Sequence, residues 1–291
     1  MNYLNNKFNE YAKVYLIIGN PISHSLSPLM YNTLFSYYNM NSIYLPFNVK
    51  ISEIEERVKQ FKLLKVSGFN VTIPNKIKIM DFLDEIDDQA LKIGAVNTVV
   101  NKNGKLIGYN TDINGVINSL SKNNVSPTNS NNVMLFGAGG AARSCIVALD
   151  QMKFKKVTVT NRSTNNAKNM VNDLEKKLNI EIEIIDFDQN KILELSHSYS
   201  LIINSTSVGM NNSNSVIKKE FFNKNMVVFD MVYVPMMTKF LIDAKNQGSK
   251  IIKGYEMLIY QAIYSFSLFT NKNIESKLLE ETILTYLSEN K

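Results

Sequence analysis

The sequence holds a single cysteine, Cys145, and only two histidines, His24 and His197. One thiol rules out an intrachain disulfide, and with so few imidazoles a Cys/His structural zinc site is excluded too, so no metal is expected. No apolar run reaches the ~18–20 residues that cross a bilayer, and the opening stretch MNYLNNKFNEYAK is polar, without the hydrophobic segment of a signal peptide. A cytoplasmic protein without a membrane partner is expected. Neither sign of charge dominates: 32 basic and 26 acidic residues give a net charge of +6, with Lys153, Lys155 and Lys156 as the densest cluster. That excess is too diffuse for nucleic acid and suits small anionic ligands at most. There is no internal repeat, and the abundance of Asn, Ile and Lys carries no function.

What is present is globular: 291 residues, 45% hydrophobic and 20% charged, a length that suggests two domains at roughly 100–200 residues each. From about Val14 to Lys253, apolar stretches alternate with segments of helical period, which predicts an α/β protein of βαβ units. Strands are expected at Val14–Gly19, Ile43–Asn48 and Phe69–Ile73, with helices at about Pro28–Asn39 and Ser52–Leu64. Val96–Asn101 and Lys105–Gly108 flank Lys102-Asn103-Gly104 and predict a hairpin with a tight Asn-Gly turn. A helix from about Asp112 to Ser121 and the turn-forming stretch 122–132 lead into a second unit. Its strands are expected at Val133–Phe136, Lys156–Thr160, Glu181–Asp186, Leu201–Asn204 and Met226–Asp230. Helices at Met257–Thr270 and Glu275–Leu287 close the chain and are expected to pack back on the first domain.

Phe136-Gly137-Ala138-Gly139-Gly140-Ala141-Ala142 joins an apolar strand to an apolar helix and matches G-x-G-x-x-G/A at Gly137, Gly139 and Ala142. Gly137 permits the tight turn, Gly139 lets backbone approach a pyrophosphate, and the helix aims its amides at the phosphate oxygens. About 20 residues on, where NAD-binding chains place an acid for the ribose 2′-hydroxyl, stand Asn161-Arg162-Ser163. An arginine binds a 2′-phosphate bidentately where a carboxylate would repel it, so NADP is favoured over NAD.

In the first half, Gly19-Asn20-Pro21-Ile22-Ser23-His24-Ser25-Leu26-Ser27-Pro28 joins the first strand to the first helix. Pro28 suits the first helical position and Ser27 its N-cap, while Ser25 adds a second hydroxyl, a donor set for a carboxylate. His24 reads as a polar anchor packed in the loop. Lys76, after Thr72-Ile73-Pro74-Asn75, is expected where a helix begins, on the unfavourable end of its dipole, which makes it an acid/base candidate. A solvated surface lysine is the plainer alternative. Asp112 is expected to cap the helix that connects the domains, with room for a second role. Thr72, Asn97 and Thr98 lie near strand ends, where α/β proteins hold ligands.

Taken together, GNPISHSLSP (Gly19–Pro28), GFNVTIPNK (Gly68–Lys76), GAVNTVV (Gly94–Val100), GYNTD (Gly108–Asp112), FGAGGAAR (Phe136–Arg143), TNRS (Thr160–Ser163), INSTSVGM (Ile203–Met210), DMVYVP (Asp230–Pro235) and GYEMLIYQA (Gly254–Ala262) resemble the shikimate dehydrogenase family in order and spacing, from about Leu16 to Phe269. The resemblance implies two domains: residues 1–111 with 255–291 for substrate binding and catalysis, and residues 112–254 as a Rossmann-type NADP-binding domain. It implies reversible reduction of 3-dehydroshikimate to shikimate with NADPH, on the route to chorismate and aromatic amino acids. Lys76 and Asp112 are then the catalytic pair, Ser25 and Ser27 bind the carboxylate, and Thr72, Asn97 and Gln261 surround the ring hydroxyls. Gly137, Ala138, Gly139, Gly140 and Ala141 would hold the pyrophosphate, and Asn161, Arg162 and Ser163 the adenosine 2′-phosphate. Thr206, Ser207, Met210, Tyr233, Gly254 and Met257 would lie near the nicotinamide half.

Two departures from the family pattern stand out. Where a second basic residue often follows the NR motif, this chain has Asn165 and Asn166, with Lys168 slightly beyond, which predicts a weaker NADP preference. Met30-Tyr31-Asn32 replaces a frequent M-H-N. The rival readings are a quinate/shikimate dehydrogenase of dual specificity using NAD or NADP, disfavoured by the paired serines and Arg162, and a catalytically silent nucleotide-binding homologue, disfavoured by Lys76 and Asp112 together. A monomer or homodimer is expected.

Overall fold

The computed structural model describes residues 8–128, 132–210 and 212–289. It divides into two compact units, one formed by residues up to Thr111 and from Gln261 onward, the other by Asp112–Tyr260. Among the described residues no helix is long and apolar enough to cross a membrane.

The first unit is built from β1 (Lys13–Gly19), α1 (Ser27–Tyr37), β2 (Ser42–Asn48), α2 (Ile54–Leu63), β3 (Gly68–Val71), β4 (Glu85–Ile86), α3 (Asp88–Ile93), β5 (Thr98–Lys102) and β6 (Lys105–Tyr109). Its six strands run in the order β2-β1-β3-β5-β6-β4. β1 is parallel to β2 and β3, whereas β5 is antiparallel to both β3 and β6. The sheet is therefore mixed where the sequence suggested a mostly parallel one. The β5–β6 loop is Asn103-Gly104 with φ of 54° and 88°, both left-handed, the two-residue turn that matches strand twist and that Asn-Gly accommodates. β4 and α3 have no counterpart in the sequence reading. A two-residue strand has no period to detect, and α3 is fixed by local chemistry instead: Asp87 accepts the Gln89 N–H at its start and left-handed Gly94 ends it.

The core of this unit packs Leu16, Ile18, Phe69 and Val71 of the sheet against Val58 and Phe61 of α2. On the aromatic side, Tyr15, Tyr31, Phe35, Phe266 and Phe269 form a tilted-ring cluster with centroids 4.9–6.5 Å apart. Phe269 approaches so closely that a Cβ on Gly68 would lie 2.7 Å from its ring. These contacts seat the carboxyl-terminal half of α9 (Gly254–Thr270) on the sheet, and α10 (Lys277–Glu289) packs on α1, as expected from sequence.

The second unit opens with α4 (Asp112–Lys122) and continues through β7 (Asn132–Phe136), α5 (Gly140–Gln151), β8 (Lys156–Thr160), α6 (Thr164–Leu174), β9 (Glu181–Ile185), α7 (Gln189–Glu194), β10 (Leu201–Asn204), β11 (Val227–Asp230), α8 (Lys239–Asn246) and β12 (Lys250–Ile252) into the start of α9. All six strands are parallel, in the order β12-β11-β10-β7-β8-β9. That is the doubly wound order 3-2-1-4-5-6 read from the far edge, with its reversal beside β7. Parallel strands covered on both faces read as continuous apolar runs, and Val133–Phe136 and Leu201–Asn204 are buried throughout.

Candidate active site

In the first unit the chain leaves β1 through the serine loop. The helix begins at Ser27 itself, with Leu26 at the cap position and no side-chain cap. It is Ser25 whose Oγ accepts the Ser27 N–H, at 3.3 Å. Ser27 is thus the first helical residue and not the cap, because proline is accommodated in the first turn and the helix starts one residue earlier. Ser27 is buried and Ser25 half-buried, while His24 is exposed and not a packed anchor. Since the Ser25 hydroxyl accepts the amide, its proton is directed elsewhere.

Lys76 also differs from expectation. No α-helix begins there: Thr72 O accepts the Asn75 N–H at 2.9 Å in a turn, followed only by a short 3-10 segment, Lys78–Phe82. Five residues are too few for a macrodipole argument, so the case for Lys76 rests on where its turn is held. Lys76 O accepts the Val96 N–H at 2.8 Å, which ties the lysine turn to the residue before Asn97. The buried side chain of Asn75 donates to Val49 O at 2.8 Å, locking the turn from the other side.

Asn97 is the hub of a buried polar network. Its Oδ1 accepts Thr111 N–H (2.8 Å) and Thr98 Oγ1–H (2.9 Å), and its Nδ2 donates to Thr111 Oγ1 (3.0 Å). Ser265 Oγ lies 2.7 and 2.8 Å from the hydroxyls of Thr98 and Thr111, and Asn70 Nδ2 donates to Thr98 and Ser265. Asn70 Oδ1 in turn accepts the Tyr44 hydroxyl at 2.7 Å, and Tyr44 stacks on Tyr31 with ring centroids 4.3 Å apart. Gln261 is buried one turn before Ser265, on the same face of α9. Lys76, Asn97, Thr111 and Ser265 are therefore joined by bonds through backbone and side chains. Thr72 follows β3 and opens the Lys76 turn, its N–H donating to Ile18 O at 2.8 Å. Ser265 lies outside every motif and only the fold reveals it, while Asn70 lies within GFNVTIPNK without any mark of its place in the network.

Asp112 follows Thr111 directly. It is the first residue of α4 rather than its cap, and 3% exposed, a position where a carboxylate is favoured by the helix dipole. Burial pushes the Cys145 thiol well above its ordinary pKa, and the Asp112 charge adds to the shift, so Cys145 is an inert core residue.

The second unit holds a cavity of about 910 Å³. It opens at the carboxyl ends of β7, β8 and β10, the crevice that the strand-order reversal creates. Gly137, Thr160, Asn161, Arg162, Thr206 and Ser207 line it. Gly137 has φ +120°, and a Cβ there would sit 2.5 Å from Ser205 Oγ, so both backbone and packing demand glycine. Gly139, the extended N-cap of α5, is different: an added Cβ would meet no protein atom within 4 Å. Of the glycine loop only Gly137 lines the cavity, and Ala138–Ala141 run on into the helix.

Asn161 Nδ2 donates to Ser163 O at 2.9 Å, and Ser163 Oγ caps α6 by accepting Asn166 N–H. Arg162 is exposed at the cavity. Thr160 Oγ1 is buried without a hydrogen-bond partner. Lys218, Lys219 and Lys239 reach the same cavity, the last paired with Asp243 at 2.9 Å, and Glu220 is the other acid on its wall. Those lysines lie far from the glycine motif in sequence, and no local pattern marks them. Met210, Tyr233, Gly254 and Met257 do not line the cavity. Gly254 instead packs on the end of β11, where a Cβ would lie 2.5 Å from Val232 O.

Comparison with known proteins completes the picture. Residues 17–99 match the family model described as the shikimate dehydrogenase substrate binding domain, and residues 119–235 match that of shikimate / quinate 5-dehydrogenase. The chain is 40% identical over 273 residues to the shikimate dehydrogenase (NADP(+)) of Nitrosopumilus maritimus, covering 94% of this chain and 98% of that one. This chain belongs to the shikimate dehydrogenase family. Among solved structures of the family, one shikimate dehydrogenase in complex with NADP+ has a TM-score of 0.86 at 33% identity, covering 98% of this chain and 99% of its own. The enzyme of Thermus thermophilus, in complex with NADP(H) and shikimate, has a TM-score of 0.82 at 29% identity, covering 94% and 99%.

Proposed function

We propose that this shikimate dehydrogenase family member reduces 3-dehydroshikimate reversibly to shikimate with NADPH, on the route to chorismate and aromatic amino acids. The observation that carries the reading is Arg162. It stands at the end of β8, on the wall of the cavity beside the Gly137 turn, where an NAD-dependent chain would place an acid. The site fits NADP(H) in a second respect: Gly139 is glycine where neither backbone nor protein packing requires it, which suits close approach of a pyrophosphate. Gly137–Ala141 would hold the pyrophosphate, and Asn161, Arg162 and Ser163 the 2′-phosphate. Thr206, Ser207, Met210, Tyr233, Gly254 and Met257 are assigned to the nicotinamide half. The 112–254 segment is then the cofactor domain, and 1–111 with 255–291 the substrate domain.

Bound NADPH supplies the hydride that reduces the C3 carbonyl. Lys76 delivers the proton the developing C3 alkoxide needs and takes it back in the oxidation. Asp112 orients Lys76 and accepts a hydrogen bond from the neighbouring hydroxyl. The bonds from Lys76 O through Val96 and Asn97 to Thr111, the residue before Asp112, support pairing them. Ser25, with its proton directed away from the Ser27 amide, and Ser27 take the substrate carboxylate. Thr72, Asn97 and Gln261 orient the ring hydroxyls. The chain is assigned as a monomer or homodimer, and a cytoplasmic location suits a reaction between a small acid and a soluble nucleotide.

A second reading, use of NAD beside NADP, is favoured by Asn165 and Asn166, which stand where a second basic residue often follows Arg162. The test is to supply 3-dehydroshikimate with NADPH and follow the cofactor absorbance and the product together. Equimolar loss of NADPH and appearance of shikimate is expected. Intact NADPH after prolonged incubation with folded protein refutes the assignment.

A further inference from the structure

β10 and β11 end side by side, with Asn204 and Asp230 directly paired in register and both fully buried. The Asp230 carboxylate accepts Asn204 Nδ2–H at 2.9 Å, Val232 N–H at 3.0 Å and Thr238 Oγ1–H at 2.5 Å. All three donors are uncharged, and burial pushes the carboxyl up to about 6. A buried carboxylate without a counter-ion is costly to fold around, and its geometry indicates what it does here.

A carboxylate only accepts, so it fixes which way the Asn204 amide faces: Nδ2 toward Asp230, Oδ1 away. That oxygen accepts both the Thr206 N–H (3.0 Å) and the Thr206 hydroxyl (2.7 Å), and Thr206 Oγ1 then accepts the Val208 N–H at 3.2 Å. Asn204 Nδ2 also donates to Val208 O at 3.3 Å. The polar side-chain groups of Asn204 and Thr206 are thus held in the tie. The same loop sets the cavity wall facing the glycine turn, since Ser205 Oγ and Thr206 Cγ2 lie 2.5 and 3.2 Å from where a Gly137 Cβ would be.

We propose that Asp230 is a positioning residue for the cofactor cavity, acting through Asn204 to hold the Ser205–Gly209 loop against the Gly137 turn. The proposal rests on the NADP(H) reading of that cavity. It separates from a role in stability alone, because the tie ends on cavity-lining residues and the sheet ladder does not need it.

The decisive variant is Asn204→Ser, whose hydroxyl still serves the carboxylate but cannot also span to Thr206. Asp230→Asn is the conservative control, since its amide oxygen can accept from Asn204 while its nitrogen turns to Thr238. Two readouts are taken on the full chain: NADP+ affinity by titration, and amide hydrogen exchange at Thr206 and Val208. Asn204→Ser is expected to weaken NADP+ roughly tenfold, the scale of one lost hydrogen bond, and to speed exchange at those two amides while β7 and β8 stay protected. Asp230→Asn is expected to stay within about threefold of the unaltered protein. Asn204→Ala carries the same expectation should the serine variant fail to fold. Unchanged affinity despite faster loop exchange overturns the proposal, as does a loss of affinity with equally faster exchange in β7 and β8. An unaltered protein that binds no NADP+ overturns the cofactor reading, while selective exchange at Thr206 and Val208 in the variant still upholds the tie.

Discussion

The two units build their sites by different means. In the parallel sheet of the second, the strand order opens a crevice beside β7, and its wall is set by the Gly137 turn and by a loop tied through Asn204 to Asp230. In the mixed sheet of the first, the antiparallel β5 cuts across the parallel run. There the Lys76 turn, Asn97 and Thr111 are held by a buried network of amides and hydroxyls. The difference implies a division of labour: the first unit should be sensitive in turnover and the second in cofactor choice.

The strongest way to break that division is Lys76→Ala. It is expected to lower kcat by a factor on the order of 10²–10⁴, the usual contribution of a positioned acid/base, with NADP+ affinity and thermal unfolding unchanged. Steady-state kinetics beside a cofactor titration decides it, and near-normal kcat removes Lys76 from the mechanism. Arg162→Ala should act in the opposite sense, reducing the preference for NADP+ over NAD+ by roughly 10–100-fold while leaving the shikimate KM alone. An unchanged cofactor ratio would shift the 2′-phosphate to Lys218 or Lys219.

A smaller effect sharpens the contrast from the structural side. Asn70→Leu strips the amide that serves Tyr44, Thr98 and Ser265, and should cost about 1–3 kcal/mol by leaving buried hydroxyls unpaired. Denaturant unfolding measures it, and a loss below about 0.5 kcal/mol would show that the network relaxes freely.

The smallest concerns pH. Because burial raises the Asp230 carboxyl to about 6, its folded pKa lies above its unfolded one. The penalty for ionising it inside the fold is absent below the unfolded pKa, grows as pH rises, and is complete above about 6. Wild type should therefore lose about 1 kcal/mol from this group between about pH 5 and pH 7, and Asp230→Asn should lack that component. Parallel pH profiles of unfolding free energy for the two proteins would contradict this.

Legibility in the sequence follows the same line. The Gly137 turn, the strand ending at Thr160 and the Asn103-Gly104 hairpin are readable because each residue type is demanded locally, by a positive φ or by a strand period. The start of α1 lies one residue from its expected place and the helix expected at Lys76 is a turn, since proline in a first turn and a short 3-10 segment leave no periodic trace. The link between Asn70 and Ser265 is invisible in the sequence, the two being 195 positions apart and joined only by folding. Lys218 and Lys219 escape notice for the same reason: they reach the wall of the cavity through tertiary structure.

The most direct test of the whole account is a comparison of initial rates with shikimate or quinate, each with NADP+ or NAD+. The account predicts that shikimate with NADP+ is strongly preferred, which requires the serine loop and Arg162 to act as assigned. Comparable rates with quinate or with NAD+ would contradict it.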